Sequence, residues 1–505
     1  MSAPAGHVRR QKPAAVVALL VVIVWCVVEL TVRRTAAITD DFQGWRQADT
    51  QAIARSFASG SLDLLHPRID WGGDGPGYVE AELQLYPFLI ALAMRLVGES
   101  VWPGQLLSLI SIAGAALVLY HALERRFGGL PALVALAGVL GTHGVVATGT
   151  SIQPDALALL AFVIGFVGFL RFLDAPTPRS LAVWAVATTI AGLVKPTTLA
   201  LGIVQALLCL MARRDRLKNP LLWLGWIFVL LVVAAYLLHA RSLYLAWGNT
   251  FGLLSGGDSK LPTFERIVEP RRWLDLARYS VGWGTGLLAV PAAIFLVVRR
   301  KLGHEELALF GGAAALGLVA FRYTSGDFGR HYHLPTVVLG AWLVARAVSL
   351  VESRRELVAL AGVCAVALWA RAVVNARFHE VEPETVVGHM VADNVEPGSL
   401  IVVRSRPEGY SAEWRTRNNF EDPRVFYLSR THGWVLPGDE RGSSRLAEYA
   451  ARGARYYAHV NNRSPSDDVL AEWLRANAEL VATSKEGAVY ALRPVPSSVK
   501  SSVNE

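Results

Sequence analysis

The chain has 505 residues, 53% of them hydrophobic and 18% charged, with a mean hydropathy of +0.36 and a formal net charge of +8. That balance excludes an ordinary pair of soluble domains. The positive charge does not argue for nucleic acid either, because the basic residues punctuate apolar blocks instead of forming a patch. Cys26, Cys209 and Cys364 each fall inside an apolar block, where a small soft hydrophobe is suited and neither a disulfide nor a metal site is indicated.

A bilayer core about 30 Å thick takes roughly 20 residues of helix. Apolar blocks of that order lie at 14–33, 103–123, 131–149, 154–172, 180–194, 196–212, 220–239, 281–298, 305–322, 333–350 and 357–374, which predicts eleven spans. The first block is followed at once by Arg33-Arg34 and reads as an uncleaved anchor, with a signal peptide as the alternative. With the basic head Arg9-Arg10-Lys12 in the cytoplasm, the connections carrying Arg125-Arg126, Arg171 and Arg179, Arg213-Arg214-Arg216-Lys218, Arg299-Arg300-Lys301 and Arg354-Arg355 share its side, as the positive-inside rule requires. The outer face then receives residues 34–102, the stretch Gln153-Pro154-Asp155, the turn Lys195-Pro196, the loop 240–280, the turn 323–332 and the tail from 375. Charged residues fall at span ends or in loops, and the spans carry no matching Gly/Pro interruptions in two halves. The expected fold class is an α-helical polytopic membrane protein of about eleven spans, residues 1–374, followed by a soluble outer-face α/β domain, residues 375–505.

The first outer loop, 34–102, is too long for a hairpin and holds two helical stretches that are not built to span. Trp45 to Phe57 is polar enough to lie only at the interface. Leu85 to Val97 sets Leu85, Phe88, Leu89, Leu92 and Leu96 along one apolar stripe, suited to the headgroup plane. Between them DWGGDGPGYVEAELQLYP combines turn-forming glycines with Asp70, Asp74, Glu80 and Glu82, which is the composition of a site or of a solvated acidic loop. Asp155 opens a span as a first-turn acid or a site residue, and Lys195 at a span mouth either snorkels or binds an anion. Arg330, His331, Tyr332 and His333 crowd one outer turn, with Arg322 and Asp327 nearby. Two histidines and scattered acids are not a metal signature, and a divalent cation stays open. The tail alternates helix-like and strand-like runs at 384–394, 400–403, 424–428, 444–452, 455–460, 467–477 and 489–492, without a glycine-rich phosphate loop or a triad motif.

The acidic loop with its I-A-R helix, the segment LYPFLIALAMRLVG before the second span, GLVKPTTLALG at 192–202, RHYHLP at 330–335 and the soluble tail together resemble the GT-C membrane glycosyltransferases of the protein O-mannosyltransferase and lipid A aminoarabinose transferase type. The likeness covers residues 14 to about 350 in order and orientation. Two departures stand out. Arg46-Gln47 occupy the offset where many members carry an Asp-Glu pair nine residues before the arginine, and Glu82-Leu83-Gln84 replace a lysine-proline-proline.

The resemblance implies an enzyme of the plasma (inner) membrane that moves a sugar from a polyprenyl-phosphate donor to a glycan, lipid or protein acceptor on the outer face, with the N-terminus in the cytoplasm. Such transfer needs a carboxylate to take the acceptor proton and cations for the departing phosphate. Asp49, one helical turn from Arg46, is the first choice for the base, with Asp40 and Asp41 as rivals. Arg46, Lys195, Arg330 and Tyr332 are the expected phosphate contacts. Glu80, Glu82, His331 and Asp155 are candidates for acceptor or donor contact. The loop 240–280, with Arg241, Asp258, Lys260 and Arg266, either covers the site or shapes the acceptor groove. The tail is either an accessory domain for glycan contact or a structural cap. A transporter of lipid-linked sugars and a non-catalytic glycan-sensing relative are the competing readings.

Overall fold

A computed structural model describes residues 12–33, 37–255, 264–321, 329–353, 355, 362, 381–405, 410–411, 416–417, 422–436, 442–460 and 468–494. The expected span at 357–374, Cys364, the basic head Arg9-Arg10, and Asp258, Lys260, Arg322 and Asp327 lie outside the described residues.

Helices dominate up to residue 348. In chain order they are α1 Lys12–Arg33, α2 Gly44–Ser59, α3 Leu85–Val97, α4 Trp102–Phe127, α5 Gly129–Leu140, α6 His143–Thr148, α7 Asp155–Asp174, α8 Pro178–Val194, α9 Leu201–Ala212, α10 Pro220–Trp247, α11 Phe264–Ile267, α12 Pro270–Tyr279, α13 Ala289–Val298, α14 His304–Phe321 and α15 Val337–Val348. Among the described residues five of these (α1, α4, α7, α10 and α14) are long and apolar enough to cross a membrane. A sixth crossing is formed if Pro270–Thr285 and Ala289–Val298, bent by 102°, count as one. Leu85–Val97, Gly129–Leu140, Pro178–Val194 and Pro196–Ala212 are shorter apolar helices. Val16, Val24, Leu230, Leu231 and Leu238 are exposed although apolar, because the solvent around α1 and α10 is lipid and only one side of each helix meets protein.

The interior of this bundle is aromatic. Phe162, Phe166, Phe169 and Phe172 of α7 pack with Trp184 and Trp342. Glycines let the backbones approach closely: a Cβ at Gly168 would lie 3.1 Å from the Trp184 Cα, and one at Gly225 would lie 2.2 Å from the Trp184 ring.

Two of the expected spans, 131–149 and 281–298, are interrupted, and the turn expected at Lys195-Pro196 is present. Block 131–149 divides into α5 and α6. Pro196 ends α8 and starts a 3₁₀ turn, Pro196–Ala200. The end of α12 widens into a π-turn, Ser280–Thr285, and a 3₁₀ segment, Arg330–Thr336, leads into α15.

The tail forms a sheet with strands β1 Leu400–Arg404, β4 His432–Val435, β5 Tyr456–Val460, β6 Ala478–Ser484 and β7 Gly487–Leu492, in the order β4-β1-β5-β7-β6; a separate pair is made by β2 Tyr410–Ser411 and β3 Thr416–Arg417. β1 runs parallel to β4 and β5, while β7 is antiparallel to β5 and β6. Residues 424–428 are helical, as part of Arg424–Ser429.

This sheet domain does not stand apart from the outer loop. Ile53, Phe57, Ile69, Trp71 and Val79 of the loop share one buried core with Val387, Val391, Ile401, Val403, Val425 and Phe426 of the tail. The backbone is sutured as well: Gly73 N–H donates to the Gly433 carbonyl at 2.7 Å, and Gly433 N–H donates to the Asp70 carbonyl at 2.9 Å. α2 is therefore enclosed, with ten of its residues buried. α3 packs Tyr86, Ile90, Ala91 and Met94 inward and leaves Leu92 and Leu96 of the expected stripe uncovered.

Candidate active site at the helix breaks

The breaks in the spans converge on a buried polar cluster. Asp155 is the first residue of α7, and Lys195 lies at the break after α8, so both side chains sit where helix ends leave room for charge. Their side chains are 2% and 8% exposed and form an ion pair. The Lys195 ammonium also lies 4.5 Å from the centre of the Tyr332 ring. Arg46, from α2, pairs with Glu82 at 3.0 Å and hydrogen-bonds the Tyr332 side chain. Tyr332 thus stands between two cations, and each cation carries its own carboxylate. Arg330 sits over the rings of Tyr279 at 5.1 Å and Trp283 at 5.7 Å, and Trp283 in turn contacts Phe42 and His143.

The segment 41–43 is laced into the same place. Gln43 adopts φ 52°, a left-handed conformation uncommon for a residue with a side chain, and its amide donates to the His331 Nδ1 at 2.8 Å. Gln47 donates to the Phe42 carbonyl at 2.9 Å and to the Asp41 carboxylate at 3.4 Å, and accepts from the Ile152 N–H at 2.8 Å. Gln153 also donates to the Phe42 carbonyl, at 3.2 Å. Burial, followed by the Lys195 charge, holds the His331 pKa well below its usual value, so the ring is neutral, and with the Gln43 amide nitrogen placed against Nδ1 its proton is assigned to Nε2. Gln43 Oε1, Gln153 Oε1, Asp155 Oδ2 and His331 Nε2 are all buried and have no hydrogen-bond partner among the described residues. Three of these atoms are acceptors and His331 Nε2 is a donor, so together with the two cations they fit a ligand that carries hydroxyl donors as well as negative charge.

The other expected site residues lie elsewhere. Asp49 is buried against Trp71, whose indole N–H donates to its Oδ1 at 3.1 Å, and the helical pair with Arg46 gives way to the Arg46–Glu82 ion pair. Asp40 accepts from the Glu382 backbone N–H and the Thr385 hydroxyl. Glu80 accepts the Leu254 and Ser255 N–H groups at 2.7 and 3.0 Å and so fixes the 250–255 segment. His333 bonds the Ser280 hydroxyl at 3.0 Å. Gln43, Gln47 and Gln153 are members of the site that the sequence reading missed; glutamines in an outer loop carry no motif, and Gln153-Pro154 read only as a span start. Among the described residues no three His, Cys, Asp or Glu side chains gather as metal ligands.

Residues 84–239 match the model of the dolichyl-phosphate-mannose-protein mannosyltransferase family. No curated protein matches the chain in sequence. Among solved structures, ArnT from Cupriavidus metallidurans bound to undecaprenyl phosphate superimposes with a TM-score of 0.65, covering 95% of this chain and 98% of that one at 14% identity. The Archaeoglobus fulgidus oligosaccharyltransferase in complex with Zn and sulfate gives a TM-score of 0.56, covering 94% and 73% at 12% identity. The oligosaccharyltransferase AglB from Archaeoglobus fulgidus, with an inhibitory peptide and a dolichol-phosphate, gives 0.54, covering 95% and 75% at 11% identity. The chain shares the fold of these structures, a helical bundle with five described helices long and apolar enough to cross a membrane and a C-terminal sheet domain.

Proposed function

We propose that this protein is a membrane glycosyltransferase that moves a sugar from a polyprenyl-phosphate donor to a glycan, lipid or protein acceptor. The observation that carries the reading is the pair of cations, buried Lys195 and half-buried Arg46, with Tyr332 between them and unpartnered polar atoms around them. The family match over 84–239 and the fold shared with ArnT, whose structure holds undecaprenyl phosphate, support it. The cluster lies at the same end of the bundle as the sheet domain. Arg125-Arg126, Arg213-Arg214 and Arg299-Arg300 mark the other end, which the positive-inside rule assigns to the cytoplasm. The reaction face and the C-terminal domain are then on the outer side.

In this reading the donor phosphate enters between Lys195 and Arg46 and takes up the His331 Nε2 proton as a hydrogen bond. A carboxylate removes the proton of the acceptor hydroxyl as its oxygen bonds to the anomeric carbon. The bond from that carbon to the phosphate oxygen breaks, and the phosphate leaves with the electron pair, its charge met by the cations. Asp41 is assigned as the proton acceptor, because it is half-buried beside Gln47 in the segment tied to Gln153 and His331, whereas Asp40 and Asp49 are engaged with the sheet domain and Trp71.

The test is transfer by the purified protein in lipid nanodiscs, offered a panel of radiolabelled polyprenyl-phosphate hexoses and pentoses. Asp41→Asn is expected to lower kcat by about 10²–10⁴ with donor binding retained. Lys195→Met is expected to lower kcat by about 10²–10³ and to weaken the donor. Full activity in either variant removes that residue from its role. The helix breaks and the buried ion pair also suit a transporter of lipid-linked sugar. A transporter would move the donor across the bilayer without releasing polyprenyl phosphate, which the same assay reads.

A further inference from the structure

The turn that carries Asp41 is held from both sides. From the sheet domain, the Glu382 backbone N–H donates to the Asp40 Oδ1 at 3.0 Å and the Thr385 hydroxyl donates to the same oxygen at 2.6 Å, at the start of the helix Pro383–Asn394. Arg424 donates to the Thr39 carbonyl at 3.4 Å while paired with Asp422 at 2.7 Å and Glu384 at 3.1 Å, a buried cation with buried partners. From the membrane domain, Gln47 and Gln153 grip the Phe42 carbonyl, Phe42 lies against Trp283, and Gln43 bonds His331. Asp41 is the residue between the two sets of contacts.

We propose that Asp40 and Thr385 form a positioning clamp, through which the C-terminal domain sets the place of the Asp41 carboxylate at the reaction site. This rests on the assignment of Asp41 as proton acceptor. Both donors reach one oxygen, Oδ1, so the clamp needs an acceptor atom at that place and not a negative charge. An amide oxygen meets that need and a methyl group does not. Misplacement of a reacting group by about 1 Å costs on the order of 10²-fold in rate, so a contact outside the cation cluster is able to govern turnover. The sheet domain is in this respect part of the catalytic apparatus without supplying a catalytic residue.

The experiment compares Asp40→Asn, Asp40→Ala, Thr385→Val and Thr385→Ser in the nanodisc assay, with amide hydrogen exchange over residues 37–47. Thr385→Val and Asp40→Ala are expected to lower kcat by about 10- to 100-fold at unchanged donor KM and to speed exchange in that segment. Their double variant should lose no more than Asp40→Ala alone, since that substitution already removes the oxygen that the Thr385 hydroxyl reaches. Asp40→Asn and Thr385→Ser, which keep the acceptor and the hydroxyl, are expected to retain most of the wild-type kcat. Asp40→Asn as inactive as Asp41→Asn would overturn the clamp and make Asp40 the reacting acid. Thr385→Val with wild-type kcat, or Thr385→Ser as impaired as Thr385→Val, would overturn it too. A wild-type protein that releases no polyprenyl phosphate from any donor of the panel sinks the proposed activity itself, an outcome distinct from these.

Discussion

At Asp49 a carboxylate lies under Trp71 with 4% of its surface exposed, and burial raises its pKa well above the usual carboxylate range despite the indole hydrogen bond. The folded protein therefore keeps a proton there that the unfolded chain gives up. Between the ordinary carboxylate pKa and the raised one, the folded state binds more protons, so stability falls as pH rises through that interval. Asp49→Asn keeps an oxygen for the indole N–H and removes the titration. Its thermal unfolding is expected to lose this part of the pH dependence and to exceed the wild type at the alkaline end. Melting curves in detergent from pH 5 to 9 check this, and parallel profiles for the two proteins would contradict it. The same residue marks a limit of sequence reading. Spacing placed Asp49 and Arg46 on one helical face, which is correct for an isolated helix, but Glu82 comes closer to the arginine from another segment. Lys195, Arg46, Tyr332, His331 and Asp155, which the family resemblance and their place on the outer face made candidates, lie together in the candidate cluster.

At the scale of elements, the breaks in the spans are where composition misled. Apolar content identifies a block that prefers lipid, and it separated α8 from α9 at Lys195-Pro196, but it does not register that Gly141-Thr142 or Ser280–Thr285 interrupt the helix. Those interruptions are held by close backbone contact. A Cβ at Gly340 of α15 would fall 1.8 Å from the Thr285 carbonyl oxygen, and one at Gly144 would fall 2.1 Å from that of Trp283. Gly340→Ala must push α15 from the π-turn, at a cost of about 1–3 kcal/mol. Because the same turn carries Trp283 beside Arg330, turnover is expected to fall together with the melting temperature. A variant that melts as the wild type does would show that the turn yields freely. The strands of the tail were read in part. The runs at 400–403, 455–460 and 489–492 alternate or are β-branched, whereas β4, His432–Val435, contains Gly433 and Trp434 and has no strand signal of its own.

For the whole molecule, the boundary near residue 375 was drawn on apolar content, and the buried core crosses it. The loop core of Ile53, Phe57, Ile69, Trp71 and Val79 is completed by the tail, and each large side chain covered in this way contributes about 1.5–3 kcal/mol. Periodicity within the loop does not reveal a partner so far along the chain. A chain cut after Val374 is expected to insert its spans while its 37–84 segment becomes sensitive to protease. Equal resistance of cut and intact proteins in nanodiscs would argue that the loop stands alone. Arg452, paired with Asp74 at 2.6 Å on the surface, lowers the pKa of that acid, so this contact weakens as pH falls through the depressed value.

The suture between Gly73 and Gly433 also sets an order of events during synthesis. The loop is synthesised early, but Val387 and Val391, which share a core with Phe57, are polymerised more than three hundred residues later. At about 5–20 residues per second the interval is roughly 15–65 s. Throughout that time the apolar face of α2 waits at the membrane surface without its permanent cover. The apolar face of the nascent loop is thus left for the headgroup layer to cover until the last quarter of the polypeptide arrives.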